Sequence, residues 1–114
     1  DVCSSDVEIC KPVKNINPDF PFEVKVAKPR KRPTSTGGTD ASVFAVEGVP
    51  TYGFTTDDIK GYNFSYGEIW HTERDLYTKN IPEYQEHTAV VTAIVALGVA
   101  NLDKQLSREG MYKE

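Results

Sequence analysis

Cysteine, tryptophan and methionine are scarce in this chain of 114 residues, with two, one and one copies. Cys3 and Cys10 show no CxxC spacing, which argues against a cysteine-ligated zinc site. The residues leave three alternatives open for the pair: a disulfide, two free thiols, or an incidental part of the chain end. Localisation does not follow from them.

Long apolar runs are also missing. The longest covers residues 89–100, is interrupted by Thr92 and Gly98, and falls short of the roughly 18 residues that a membrane-spanning helix needs. The net charge of −4 at pH 7 gives no general attraction to nucleic acid or to an anionic membrane. The sequence therefore predicts no membrane span and no nucleic-acid partner.

The composition, 39% hydrophobic and 26% charged, is that of a globular domain. The chain begins with Asp1 rather than Met, and no signal segment follows, so we expect a processed chain or a piece of a longer protein. Residues 1–6 resemble what one reading frame of a sequencing adapter encodes, so no argument rests on Cys3. We expect three parts: an irregular, partly non-native segment at 1–19, a domain part at 20–105, and a polar tail at 106–114.

Residue patterns predict short elements before one long helix. Phe22, Val24 and Val26 alternate with polar residues, which is typical of a half-exposed strand. Asp40 or Thr39 is a good N-cap for a short helix that Gly48 ends. The remaining segments are a loop before Gly37, a short buried strand at 50–56, and a long aromatic loop at 57–70.

The clearest element is a long helix whose first turn carries Pro82 and Glu83. From residue 89 to residue 102 nearly every face is apolar and small, so the helix should be buried against a sheet. Two short strands are not an adequate sheet for it. We therefore predict an α/β fold, a partial three-layer α/β/α sandwich with a mixed sheet and a long C-terminal buried helix.

Three side chains could carry metal chemistry. His87, among polar neighbours on the first turns of the long helix, is most simply a surface residue. His71 follows Trp70 at the end of the aromatic loop and is either structural or a ligand. Asp40, after Gly37 and Gly38, is either a helix cap or a ligand, because two glycines let the backbone approach a site closely. Carboxylate oxygen and imidazole nitrogen together suit zinc.

Two stretches, "TGGTDASVFAVEGVPTYGF" and "WHTERDLYTKNIPEYQEHTAVV", resemble the C-terminal part of the co-catalytic zinc exopeptidases. This is metallopeptidase family twenty-eight of clan MH, which includes bacterial leucyl aminopeptidases, plasma glutamate carboxypeptidase and, by descent, glutaminyl cyclases. The family pattern is a Gly/Ser-rich turn, an Asp ligand, a "G-[IV]-P" turn, and later a His ligand in "H-T-x-x-D". All of these occur here in order, over about residues 20–105.

The resemblance implies that Asp40 binds one zinc ion and that His71 binds the other, with two ions in the complete domain. Gly37 and Gly38 would support the ligand turn, and Asp75 would shape the loop of His71. The implied activity is hydrolysis of terminal peptide bonds by a water that two zinc ions activate. The resemblance favours an aminopeptidase acting on a peptide substrate, although the family includes carboxypeptidases, and family habit favours a secreted or periplasmic protein.

The remaining family residues have no counterpart in this chain. In the family a bridging Asp, a His, a Glu ligand and a catalytic Glu lie upstream, whereas here no His precedes His71 and no Glu-Glu pair occurs. We therefore predict no catalytic residue in this chain, no activity for the chain alone, and a need for the upstream part of its own domain. One departure is Ala41, because many relatives have His after the ligand Asp; it leaves subfamily and substrate preference open.

Several alternatives stay open. Tyr62, Phe64, Tyr66 and Trp70 could line a substrate pocket or simply pack the loop. The cluster of basic residues is disfavoured as a nucleic-acid patch because prolines frame it and no aromatic residue interleaves it; it comprises Lys25, Lys28, Arg30, Lys31 and Arg32. The double glycine lacks the Lys of a phosphate loop, and residues 63–65 form a glycosylation sequon. The principal alternative function is a catalytically dead, family-like domain that serves as a binding or protein-interaction module.

Overall fold

A computed structural model describes residues 8–25 and 28–113 of the chain. Two strands, β1 (Arg30–Lys31) and β2 (Tyr112–Lys113), form a parallel pair in which Arg30 lies opposite Tyr112. In chain order the helices that lie wholly within these ranges are a 3₁₀ helix (Lys11–Asn15), α1 (Ala41–Val46), α2 (Tyr66–Ile69), a second 3₁₀ helix (Tyr77–Lys79) and α3 (Pro82–Ala100). None of the helices within these described ranges has the length and apolarity to cross a bilayer.

Helix α3 begins where the sequence predicts. Pro82 occupies its first turn, where the missing N–H is harmless, and Glu83 lies near the positive end of the helix dipole. Its buried face is formed by Tyr84, Val91 and Val95. Other apolar positions stay uncovered, since Val90 is 38% exposed and Leu97 is 63% exposed. The prediction of burial is thus confirmed for one face of the helix only.

The hydrophobic core joins α3 to the N-terminal 3₁₀ helix. Val13, which is fully buried, packs with Cys10 against Val91 and Val95. Fully burying a valine side chain contributes about 1.5–3 kcal/mol, so this small cluster stabilises the packing of α3 on the N-terminal 3₁₀ helix. The partly buried side chains that pack around it are Phe22, Val24, Ile94 and Val99.

Both predicted strands differ from the structure. Phe22 and Val24 are half-buried while their neighbours are exposed, as the alternation predicts, but residues 21–25 pair with no strand. Val26 lies outside the described residues. Residues 50–56 also form no strand, and β1 instead lies in the predicted loop. The strand predictions were wrong because a strand needs a hydrogen-bonded partner, which alternation alone does not supply.

Helix α1 confirms the predicted short helix. It ends in a Schellman motif, in which the Gly48 N–H donates to the Ala45 carbonyl (3.0 Å) and the Val49 N–H to the Phe44 carbonyl (3.0 Å). Gly48 has φ +71°, a left-handed conformation that glycine adopts without steric cost. Of its residues only Ala45 is buried, whereas Val43 and Phe44 are exposed. The three-layer sandwich stays a prediction for a complete domain.

Gly98 of α3 lies against Ile9 of the N-terminal segment. A methyl group added there would overlap the Ile9 side chain. Glycine to alanine inside a helix normally stabilises by about 0.5–1 kcal/mol, but we expect Gly98→Ala to lower the free energy of unfolding by about 1 kcal/mol, because the overlap outweighs helix propensity. Urea denaturation followed by circular dichroism measures the change. The matched control is Gly67→Ala in α2, where an added methyl would meet open space; a gain in stability at both positions would contradict the prediction.

Candidate functional site

Asp40 immediately precedes α1 and is exposed. It occupies the N-cap position, yet its carboxylate makes no capping hydrogen bond. The turn before the helix is held by Ser42, whose Oγ accepts the Gly37 N–H at 2.9 Å, and by Gly38, whose φ is +81°. The structure therefore does not show the first of the two roles that the sequence left open for Asp40, side-chain capping of the helix.

His71 lies just after α2 in an exposed aromatic stack. Its ring stacks on Trp70 with centroids 4.2 Å apart, and Trp70 stacks on Tyr66 at 5.8 Å. Tyr66 is 65% exposed and Trp70 is 50% exposed. His71 has φ +57°, an uncommon conformation for a residue other than glycine. Of the predicted pocket residues, Trp70 thus lies beside His71, and Tyr66 stacks on Trp70.

Tyr62, the third predicted pocket residue, lies elsewhere. Its ring packs on Tyr84 of α3, with centroids 5.7 Å apart, and Phe64 meets the same ring edge-on at 6.0 Å. These two residues therefore pack the loop onto α3, which is the second of the two alternatives that the sequence left open.

The loop after His71 is shaped mainly by Thr72. The Thr72 hydroxyl contacts the carbonyls of Glu68 (3.0 Å) and Ile69 (2.9 Å) and accepts the Arg74 N–H (3.2 Å). Asp75, predicted to shape this loop, contributes its backbone N–H to the Thr72 carbonyl at 3.2 Å. Thr72 was missed by sequence reasoning, although a Thr within three residues of a helix end can bond back to the carbonyls three or four positions earlier.

The Asp75 side chain borders an open groove of about 1010 Å³ between α3 and the segment that leads into it. Small residues of α3 form its floor, and larger apolar residues form its wall. The floor includes Thr88, Ala89, Thr92, Ala93 and Ala96, and the wall includes Phe64, Ile69, Leu76, Tyr77 and Ile81.

A second polar group that sequence reasoning missed is the Asp58 carboxylate, which accepts three hydrogen bonds. Oδ1 accepts hydrogen bonds from the Tyr84 hydroxyl (2.8 Å) and the Tyr62 N–H (2.9 Å), and Oδ2 accepts the Phe64 N–H (3.1 Å). The Tyr84 hydroxyl in turn accepts the Lys60 N–H at 3.0 Å. An Asp three residues before Gly61 is a turn signal, which could have indicated this role.

Hydrogen bonds set the protonation behaviour of this network. Partial burial raises the pKa of Asp58, but the Tyr84 hydroxyl and neighbouring backbone N–H groups outweigh it and hold that pKa below its usual value. The hydrogen bond to Lys60, 2.6 Å long, lowers the pKa of Glu83, and the same contact raises the pKa of Lys60. Both carboxylates are therefore stabilised in the charged form.

The network predicts an acid-dependent loss of stability. Because the pKa of folded Asp58 lies below its unfolded value of about 3.9, its contribution is fully present above that pH and is lost as the pH falls through the folded pKa. We expect the free energy of unfolding of the Asp58→Asn variant to change less between about pH 5 and pH 2 than that of the wild type. Urea titrations at several pH values measure this slope. Exposed Asp57→Asn is the control; equal slopes in wild type and Asp58→Asn would contradict the assignment.

The predicted zinc ligands lie on separate elements, and α1 and α2 do not contact each other. Within residues 8–25 and 28–113 no three or more His, Cys, Asp or Glu side chains converge as a metal-binding group. The donor chemistry nevertheless fits zinc, since Asp40 offers a carboxylate that makes no capping bond and His71 an exposed imidazole. Each four-coordinate ion would need its other ligands from outside the described residues.

His87, predicted to be a surface residue, is half-buried, and its ring stacks on Phe20 with centroids 4.5 Å apart. Its role here is packing between the N-terminal segment and α3.

Comparison with known proteins adds no family: no family model, no curated protein and no solved structure matches this chain.

Proposed function

We propose that this chain is the C-terminal part of a zinc-dependent exopeptidase and gives one ligand to each of two zinc ions, Asp40 to one and His71 to the other. The proposal rests mainly on the environment of Asp40. This residue follows a turn at Gly37 and Gly38 and lies at the start of a helix, and its carboxylate makes no capping hydrogen bond. The order of sequence motifs around both residues supports it.

When bound, two zinc ions sharing a water would lower the pKa of that water and polarise the scissile carbonyl. Asp40 and His71 would hold the ions in place, and the exposed Tyr66 and Trp70 rings beside His71 would contact the peptide substrate. The general base, which must take the proton from the water, comes from upstream in this proposal, so the chain alone does not catalyse.

Uncovered apolar surface supports the need for the upstream part. Val43 and Phe44 on α1 and Leu97 on α3 are all more than half exposed. In the described structure the two-stranded sheet has no further strand at either edge. Parallel sheets are normally larger and have other elements packed on both faces. In the proposed complete domain, the missing strands and helices cover these faces.

Metal content tests the proposal directly. We expect the complete protein to hold two zinc ions per molecule, and Asp40→Ala and His71→Ala each to hold about one, because each variant removes a ligand of a different ion. Mass spectrometry of metals after dialysis measures the stoichiometry. Controls are Asp103→Ala and His87→Ala, which change the same residue types elsewhere. Two zinc ions in both ligand variants would refute the assigned roles.

The same uncovered surface also favours the alternative, a family-like domain without catalysis that binds another protein. The sequence upstream of residue 1 separates the two functions. A His-x-Asp motif followed by a Glu-Glu pair is expected for the peptidase, and absence of the Glu-Glu pair would defeat it for the parent protein.

A further inference from the structure

We infer that Asp58, acting together with Tyr84, is a positioning residue for the segment that carries His71. The segment in question is residues 65–76, which the structure joins to α3 through the loop before it and the turn after it. The proposed function gives Asp58 and Tyr84 no role. The inference rests on that function in one respect, the zinc ion that His71 is positioned to bind.

Asp58 organises the loop before the segment. Its two carboxylate oxygens accept the N–H groups of Tyr62 and Phe64, which fixes the backbone of residues 58–64 in one conformation. Tyr84, only 4% exposed, donates its hydroxyl to the same carboxylate and thereby joins this loop to the first turns of α3. Charge-assisted hydrogen bonds of this kind are stronger than neutral ones, so the attachment should be firm.

Neighbouring contacts make the attachment specific to this part of α3. The Lys60 ammonium contacts the Glu83 carboxylate at 2.6 Å, one residue before Tyr84, and the Thr56 and Thr88 hydroxyls lie 3.2 Å apart one turn further along the helix. The Lys60 ammonium also lies 5.1 Å from the centre of the Phe20 ring. The loop is therefore joined to α3 from Glu83 to Thr88.

The turn after the segment is fixed to the same place. Lys79 donates its ammonium to the Asn63 carbonyl at 3.3 Å, and Pro82 begins α3 only three residues later. Asn63 and Lys79 thus close a loop whose two ends both lie at the start of α3. Fixing both ends of a loop lowers the number of conformations its middle can adopt.

Order inside the segment comes from its own short-range bonds. The Trp70 N–H donates to the Tyr66 carbonyl at 2.9 Å, the Thr72 N–H to the Ile69 carbonyl at 3.1 Å, and the Arg74 guanidinium contacts the Glu68 carboxylate at 3.3 Å. These bonds give the segment a shape, but a helix of four residues is marginal by itself, so both its order and its placement relative to α3 depend on the fixed ends. Asp58 and Tyr84 thereby determine where the His71 ring lies.

Amide hydrogen exchange in the full chain tests the positioning without any metal. We expect Tyr84→Phe, which keeps the ring and removes one hydroxyl, to speed exchange of the Ile69, Trp70 and Thr72 amides about 3- to 10-fold. Asp58→Ala should speed it more, and Asp58→Asn, which keeps one acceptor oxygen, should lie between wild type and Asp58→Ala. Exchange of the Gly48 and Val49 amides at the end of α1 should stay unchanged in all three.

Tyr112→Phe is the matched control, because the Tyr112 hydroxyl donates to the Ala45 carbonyl of α1 at 3.0 Å. It removes the same chemical group from a contact with a different helix, so it should speed exchange at Gly48 and Val49 and leave residues 69–72 unchanged. Equal exchange at residues 69–72 in wild type, Tyr84→Phe and Asp58→Ala would overturn the inference, as would equal acceleration by Tyr112→Phe.

Zinc affinity of the complete protein tests what the segment is positioned for. Tyr84→Phe should weaken the binding of one of the two zinc ions about 3- to 10-fold and leave the binding of the other unchanged. Asp58→Asn should again lose less zinc affinity than Asp58→Ala. Faster exchange with unchanged zinc affinity, in a protein where His71→Ala does lose zinc, would overturn a role in placing the ligand. If His71→Ala keeps both ions, the proposed function fails, and the exchange experiment alone decides the role of Asp58.

Discussion

Replacing His71 by alanine in the complete protein is expected to lower kcat/KM for leucine p-nitroanilide by about 10³-fold or more. Under the proposed function His71 is the only ligand that this chain gives to one of the two zinc ions. A bound metal ion supplies several kcal/mol of transition-state stabilisation, and each 1.4 kcal/mol is tenfold in rate. Initial-rate kinetics with zinc-saturated protein measure the loss.

Two matched variants sharpen this measurement. His87→Ala removes the only other histidine and its stacking on Phe20, so it should lower stability while leaving kcat/KM within a few-fold of wild type. Trp70→Leu removes the ring beside His71 without removing the ligand, and should raise KM more than it lowers kcat. A His71→Ala variant that keeps wild-type kcat/KM would refute His71 as a metal ligand. No hydrolysis by the wild type would favour the alternative, an interaction module.

Local signals made two of the helices, α1 and α3, predictable from the sequence, whereas α2 lies in the predicted aromatic loop. Pro82 followed by Glu83 marks the start of α3, and the turn residue Gly48 marks the end of α1, because both depend on the backbone preferences of residues close in the chain. The sequence also indicated Asp40 and His71 as residues of interest. Their roles as zinc ligands stay a prediction, since no group of three or more His, Cys, Asp or Glu side chains converges within the described residues.

Features that depend on distant partners were the ones missed. Strand pairing joins Arg30 to Tyr112 across most of the chain, and neither segment has the alternating pattern of a strand. In the sequence Asp58 does not differ from the other acidic residues. Its role depends on the Tyr84 hydroxyl, which belongs to a different element and donates a hydrogen bond to it. Neither the pairing of Arg30 with Tyr112 nor the hydrogen bond from Tyr84 has a local signal, because both depend on how the chain is brought together over long separations. Only the turn at Asp58 and Gly61 has one.

The largest expected effect on stability comes from placing a charge in the core. Val95 is 6% exposed and packs with Val13, Cys10 and Val91, so Val95→Asp would bury a carboxylate without a partner. We expect this variant to lose more than about 3 kcal/mol of unfolding free energy, a large part of the stability of a domain this size, and to be mostly unfolded. Circular dichroism and urea denaturation measure the loss.

Leu97→Asp, on the same helix, tests whether further layers cover α3 in the complete protein. Leu97 is 63% exposed, so in the chain of 114 residues this variant should stay within about 0.5 kcal/mol of wild type. In the complete protein, where the proposed missing layers cover α3, the same substitution should cost about as much as Val95→Asp. A neutral effect of Leu97→Asp in both proteins would mean that this face of α3 stays in water, and the predicted burial of α3 on all sides would then be wrong.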